Sequence, residues 1–185
     1  MVTKATNSMD DARNVIDKYK GQSVEAISGD LDENGVDLEI AVENTERDFN
    51  MGTIVRSANA FGVRHVHVIG RRQWNKRGAM MTDKYLHVHY YESVASFAEA
   101  MNERKRTIVA VDNIAGSTPL AQTELSKDAV LVFGQEGPGI SKELADIATQ
   151  IVAIEQFGST RSINVGVAAG IVMYEWIRQY QLQRP

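Results

Sequence analysis

Three polar segments hold side chains that chemistry can use. The first is Asn44–Arg56 (NTERDFNMGTIVR), in which Asn50 and Gly52 mark the entry to a helix and Arg56 follows one to two turns inside. Asn50 suits the cap of that helix, and Arg56 alone would read as a snorkelling surface cation. The second is Phe133–Ser141 (FGQEGPGIS), where three glycines and a proline follow an apolar run and surround one carboxylate, Glu136. Glycines there let backbone amides and carbonyls approach a ligand closely. The loop has neither the lysine nor the spacing of a phosphate-binding loop. The third is Gln156–Gly170 (QFGSTRSINVGVAAG), which leads Arg161, Ser162 and Asn164 into a helix of small residues. Ser162 suits an N-cap, yet the three side chains together supply more hydrogen-bonding capacity than a cap uses.

These segments need a scaffold, and the apolar pattern predicts one. Short buried strands are expected at Leu38–Val42, His65–Ile69, His87–Tyr91, Thr107–Val111, Ala129–Phe133 and Gln150–Ile154. Helices are expected over Met51–Phe61, closed by Gly62, and over Val94–Arg104, Lys142–Ala148 and Ile163–Tyr180. Strands alternating with helices give an α/β fold, a mostly parallel sheet flanked by helices. Ligands of such sheets sit outside the carboxyl ends of the strands, which points to the loops after Val42, Val111, Phe133 and Ile154. Residues 1–36 read as an N-terminal extension, with a short helix over Asp10–Lys20 and an acidic, turn-rich linker over Gly29–Gly35. Residues 37–185 read as one catalytic domain.

Composition narrows the classes. With no cysteine and four histidines in 185 residues, disulfide and thiolate metal sites are excluded and no metal is expected. No apolar run approaches the roughly 18 residues of a membrane span, and the first residues lack the apolar core of a signal peptide, so the expected compartment is cytoplasmic. The net charge is −4, but its distribution is uneven: residues 51–110 hold 10 bases and 4 acids, residues 1–50 hold 5 bases and 12 acids. A basic middle third suits a face that meets a polyanion.

Taken in order, the three segments closely resemble the signature motifs of the SpoU/TrmH family of RNA ribose methyltransferases, in the SPOUT class. The first does so through Asn50, Gly52, Arg56, Phe61 and Gly62, the second through Gly134, Glu136 and Gly139, and the third through Ser162, Ile163, Asn164 and Val165. The likeness covers about residues 37–180. Gln135 stands where the family often has asparagine, and Ile154-Glu155-Gln156 replaces a usual isoleucine–proline run. The resemblance implies methyl transfer from S-adenosylmethionine to a ribose 2′-hydroxyl of tRNA or rRNA, with tRNA favoured by the Arg161-Ser162 pair. It also implies a homodimer and a C-terminal deep trefoil knot, a topology that general fold rules would not suggest.

The roles that follow from the resemblance are these. Arg56 is the catalytic group, oriented with the ribose and the methyl donor by Asn50, Glu136, Ser162 and Asn164. The cofactor lies among Val111, Gly134, Ile154, Ser162, Ile163 and Asn164, with Val132, Ile154 and Ile163 as the apolar slot for its adenine. The segment Arg71-Arg72-Gln73-Trp74-Asn75-Lys76-Arg77, with Arg161, contacts RNA: cations on phosphates and Trp74 stacked on a base. Arg64, Arg104, Lys105 and Arg106 are the next cations in line. Two other classes are weighed against this: a non-catalytic RNA-binding relative, disfavoured by the full motif set, and a dinucleotide oxidoreductase, disfavoured because no G-x-G-x-x-G follows an early strand.

Overall fold

The structure, a computed structural model, describes residues 11–44 and 50–182. Its centre is a seven-stranded sheet in the order β3-β2-β1-β6-β4-β7-β5. The strands are β1 (Glu39–Asn44), β2 (His65–Gly70), β3 (His87–Tyr91), β4 (Thr107–Val111), β5 (Thr118–Pro119), β6 (Ala129–Phe133) and β7 (Gln150–Ala153). Every pairing among them is parallel. β1 and β6 are buried along their whole length, as strands covered on both faces must be; β6 reads as an unbroken apolar run, whereas β1 also buries Glu39, Glu43 and Asn44, each held by a hydrogen bond.

Side chains of successive strand residues serve opposite layers. Ile40, Val42, Leu131 and Phe133 pack with α2 (Met51–Ala60) and α5 (Val165–Tyr180) through Ile54, Val55, Val172 and Trp176. Ala41, Val130 and Val132 pack with α3 (Val94–Glu103) and α4 (Lys142–Ile147) through Phe97, Met101 and Leu144. Val132 is thus committed to the core on the α3/α4 side, away from any ligand, which corrects its expected place beside an adenine. The second half of α5 is anchored by polar bonds: Trp176 Nε1 donates to Ser126 O at 3.0 Å and Gln179 Nε2 to Thr123 O at 2.9 Å.

The N-terminal helix is not where the sequence pattern put it. The 10–20 stretch forms only a single 3-10 turn at Asp17–Tyr19, with Asp10 outside the described residues, and α1 (Val24–Asn34) runs through the acidic stretch expected to be a linker. Ser23 caps α1 by accepting from Ala26 N at 3.2 Å. Ile27 is buried against Tyr19 and Tyr85, and Asp32 pairs with buried Arg64 at 2.9 Å. These partners lie up to about 60 residues away in sequence, so tertiary burial overrides the local turn signal of Gly29.

All four histidines of the chain meet on the α3 side of β2 and β3, in register as His65–His87 and His67–His89. His67 is buried with Nε2 2.7 Å from Glu39 Oε2, and His65 Nδ1 lies 3.0 Å from His89 Nε2. Burial pushes His65 and His89 down to about 4. An unfolded imidazole takes its proton near the ordinary 6.5, so between 6.5 and 4 the unfolded chain binds more protons than the folded one, and stability falls as pH drops through that window. Thermal melts at pH 7 and pH 4.5 are expected to show this fall, and a His65→Asn/His89→Asn variant to lose most of it. An equally steep fall in the variant would contradict the assignment.

Candidate active site

The C-terminal ends of β1, β6, β4 and β7 lie side by side, and the three polar segments leave from that edge or return to it. Residues 45–49 of the first segment lie outside the described residues. In the second, Gln135 and Gly139 exchange two backbone hydrogen bonds, N to O at 3.1 Å each way, so the Gly134–Gly139 loop is pinched into a narrow tongue. A Cβ on Gly134 would stand 2.1 Å from Gly139 C, so only glycine permits the crossing.

A relay of hydrogen bonds joins all three segments. Asn164 is the N-cap of α5: its backbone is extended, and its Oδ1 accepts from Gly166 N at 3.0 Å and Val167 N at 3.2 Å. Its Nδ2 is therefore left to donate, and does so to Asn50 Oδ1 at 2.8 Å. That fixes the amide of Asn50, whose Nδ2 donates to Glu136 Oε2 at 2.9 Å. The helix terminus thus dictates the polarity of the chain up to the carboxylate. Two sequence expectations are corrected here. Asn50 does not cap α2, because its own φ and ψ are already helical and its side chain is turned to the relay. Ser162 does not cap α5, because that position belongs to Asn164; Ser162 is exposed, and no residue among those described is bonded to its hydroxyl.

Beside the relay lies a cavity of about 220 Å³. It is lined by every residue expected to hold the cofactor, namely Val111, Gly134, Ile154, Ser162, Ile163 and Asn164, and by Glu136. Two carboxylates, Asp112 and Glu136, face it, and among the described residues no lysine, arginine or histidine does. Arg56 does not line it. That side chain is exposed on α2, one helical turn beyond Thr53, where α2 packs closely on Gly166 of α5.

The basic segment leaves β2 on the same edge of the sheet. Asn44, buried at the end of β1, holds it: Arg71 N donates to Asn44 O at 2.8 Å, and Asn44 Nδ2 donates to Gln73 O at 3.1 Å. Arg71, Arg72, Lys76 and Arg77 are exposed, as is Arg161 on the third segment. Arg72 lies over the Tyr90 ring, and Lys76 pairs with Asp83 at 2.7 Å. Trp74 is half-buried against the core, with Lys76 5.4 Å from its ring centroid. Of the reserve cations, Arg64 pairs with Asp32, and Arg104 and Arg106 both pair with buried Glu39, so these three serve the fold, while Lys105 is exposed and in no ion pair among the described residues.

Residues 37–174 match the SpoU rRNA methylase family. The chain belongs to that family. It is 29% identical over 153 residues to the tRNA (guanosine(18)-2′-O)-methyltransferase of Aquifex aeolicus, covering 80% of this chain and 72% of that one. It is 31% identical over 140 residues to the 23S rRNA (guanosine-2′-O-)-methyltransferase of Bordetella pertussis, covering 71% of this chain and 56% of that one. Among solved structures, the A. aeolicus TrmH/SpoU tRNA modifying enzyme superposes with a TM-score of 0.75 at 26% identity, over 86% of this chain and 83% of that one. An AdoMet-bound rRNA methyltransferase from Sinorhizobium meliloti does so with a TM-score of 0.69 at 26% identity, over 77% and 56%. The chain is an S-adenosylmethionine-dependent RNA 2′-O-methyltransferase. The cavity suits that cofactor: its two carboxylates face a ligand with a sulfonium and an ammonium, and Val111, Ile154 and Ile163 offer an apolar wall to an adenine.

Two carboxylates had no signal in the sequence. β6 lies between β1 and β4, and each neighbour sends an acid to the returning limb of the tongue. Asp112 Oδ2 accepts from Ile140 N at 2.8 Å, and Glu43 Oε2, nearly fully buried, accepts from Ser141 N at 2.7 Å. Single acids at strand ends carry no diagnostic spacing; only the strand order makes them a clamp. Glu43→Ala is expected to weaken S-adenosylmethionine binding about tenfold, the worth of a hydrogen bond to a charged group. Glu43→Gln, which keeps an acceptor, stays within about twofold. Calorimetric titration checks this, and equal losses for both variants would contradict it.

Proposed function

We propose that this enzyme methylates a ribose of tRNA, in the cytoplasm, as a homodimer, with Arg56 as its catalytic group. The observation that carries the reading is the relay Asn164–Asn50–Glu136, in which one residue from each motif is hydrogen-bonded at the mouth of the cavity. When bound, S-adenosylmethionine supplies a methyl group on sulfonium sulfur, which passes in line to the ribose oxygen. The 2′-hydroxyl is a very weak acid, so the enzyme must remove its proton or stabilise the negative charge that develops. Arg56, with the planar cationic fork of a guanidinium, fits the stabilising and positioning part. Ser162, with no partner among the described residues, is free to bond the ribose, and the fixed amide of Asn50 holds Glu136 toward the donor.

Support for tRNA comes from the guanosine-18 relative, of which this chain spans the larger share. Methylation of tRNA transcripts and of 23S rRNA fragments, measured side by side with labelled cofactor, tests the preference; label in rRNA alone would overturn it. Arg71, Arg72, Arg77 and Arg161 are placed as phosphate contacts. A C-terminal knot belongs to the same reading, and the return of β6 between β1 and β4 is compatible with it.

The dimer reading rests on α5. Val172, Met173 and Trp176 are buried within the subunit, but Val167, Ile171 and Tyr174 form an exposed apolar stripe at i, i+4, i+7 spacing. Phe157, in the loop before α5, is 97% exposed. Light scattering at micromolar concentration is expected to give twice the 20.5 kDa chain mass, and Ile171→Glu/Tyr174→Glu to give the monomer. A monomer mass for the unaltered chain would contradict it.

A further inference from the structure

We infer that residues 12–14 and the turns of residues 76–85 form a groove for one unstacked nucleotide of the RNA, its phosphate on Arg77 and Lys84 and its base against Met80 and Met81. The inference rests on the reading of RNA as substrate and adds a subsite that the three motifs do not contain.

The groove has a volume of about 380 Å³. Four cations line it, in a chain of net charge −4. Asp11 answers Arg13, and Asp83 answers Lys76. Arg77 and Lys84 have no carboxylate partner among the described residues, so two cations remain for phosphate.

The floor carries a second signal. Met80 and Met81 are 53% and 65% exposed, and both hold a left-handed backbone, with φ of 49° and 63°. Consecutive non-glycine residues in that region are strained, and glycine or asparagine would relax them. Two large apolar side chains kept there in water form a soft, adaptable platform, and every base presents a π-face to such a surface. Tyr85 closes the groove from below: it is 3% exposed, and its ring centroid lies 5.2 Å from Lys84 Nζ.

The groove is tied to the reacting centre through α2. The first-motif Gly52 packs directly on the 78–79 turn, where a Cβ would stand 2.8 Å from Gly78 Cα and Ala79 N. α2 therefore carries Arg56, follows directly on Asn50, and supports the groove.

The test measures binding of a labelled tRNA transcript and of a mixed-sequence single-stranded oligoribonucleotide at several salt concentrations. Arg77→Glu/Lys84→Glu is expected to weaken both by tenfold or more, with a shallower salt dependence. Met80→Asn/Met81→Asn is expected to melt no lower than the unaltered protein, because strain is relieved, and still to bind RNA about fivefold or more weakly. Affinity for S-adenosylmethionine stays unchanged in both. Unchanged RNA affinity in either variant overturns the inference: with the charge pair it removes the phosphate, with the methionine pair the base. An unaltered protein that binds S-adenosylmethionine but neither RNA overturns the reading of RNA as substrate instead.

Discussion

Arg56→Ala is expected to slow methyl transfer by a hundredfold or more while leaving S-adenosylmethionine affinity within about twofold. The size follows from the loss of a positioned charge that acts where negative charge develops. The selectivity follows from geometry: Arg56 is exposed on α2 and is not among the residues that line the cavity, whereas Asn164 and Glu136 face it. Arg56→Lys keeps the charge but loses the planar fork, so it falls between the two. Single-turnover rates and calorimetric titrations on the same preparations decide the matter. A loss of cofactor affinity as large as the loss of rate would move Arg56 from the ribose to the cofactor.

Gly134→Ala is expected to remove cofactor binding and to destabilise the fold. Its Cβ would stand 2.1 Å from Gly139 C and 2.3 Å from Ile140 N. These are backbone atoms held by the Gln135–Gly139 bridge, so the tongue must open rather than a side chain turn aside. Forced repacking of this kind costs on the order of 1–3 kcal/mol, and the opened tongue no longer forms the cavity wall. Gly137 supplies the contrast: a Cβ there meets nothing within 4 Å, and alanine faces only the positive φ of 100°. Gly137→Ala should therefore retain most of its cofactor affinity. Equal affinities for the two variants, with equal melting temperatures, would show that the tongue does not shape the site.

Much of this site was legible because its residues come in spaced sets. Asn50 to Arg56, Gly134 to Gly139, and Ser162 to Val165 are short patterns, and each comes after a strand with an apolar centre. The roles inside the sets were less legible. Asn50 and Ser162 both look like caps, and the choice among Asn50, Ser162 and Asn164 depended on which backbone turned out extended. Glu43, Asp112 and Asn44 gave no signal, since their partners at Ser141, Ile140 and Gln73 lie 28 to 98 residues away. α1 was hidden for the same reason: its apolar side is the pair Ile27 and Leu31, which is enough only against Tyr19 and Tyr85. The two-residue β5 is too short for any period to show.

The central claim is that the three motifs, joined through Asn50, direct a methyl group to a ribose oxygen. The most direct measurement supplies S-adenosylmethionine with a deuterated methyl group, digests the RNA to nucleosides, and reads the labelled fragments by mass spectrometry. The account predicts label on the ribose fragment and none on the base, with loss of the product in Asn50→Ala. Label on a base, or undiminished ribose label in Asn50→Ala, would contradict it.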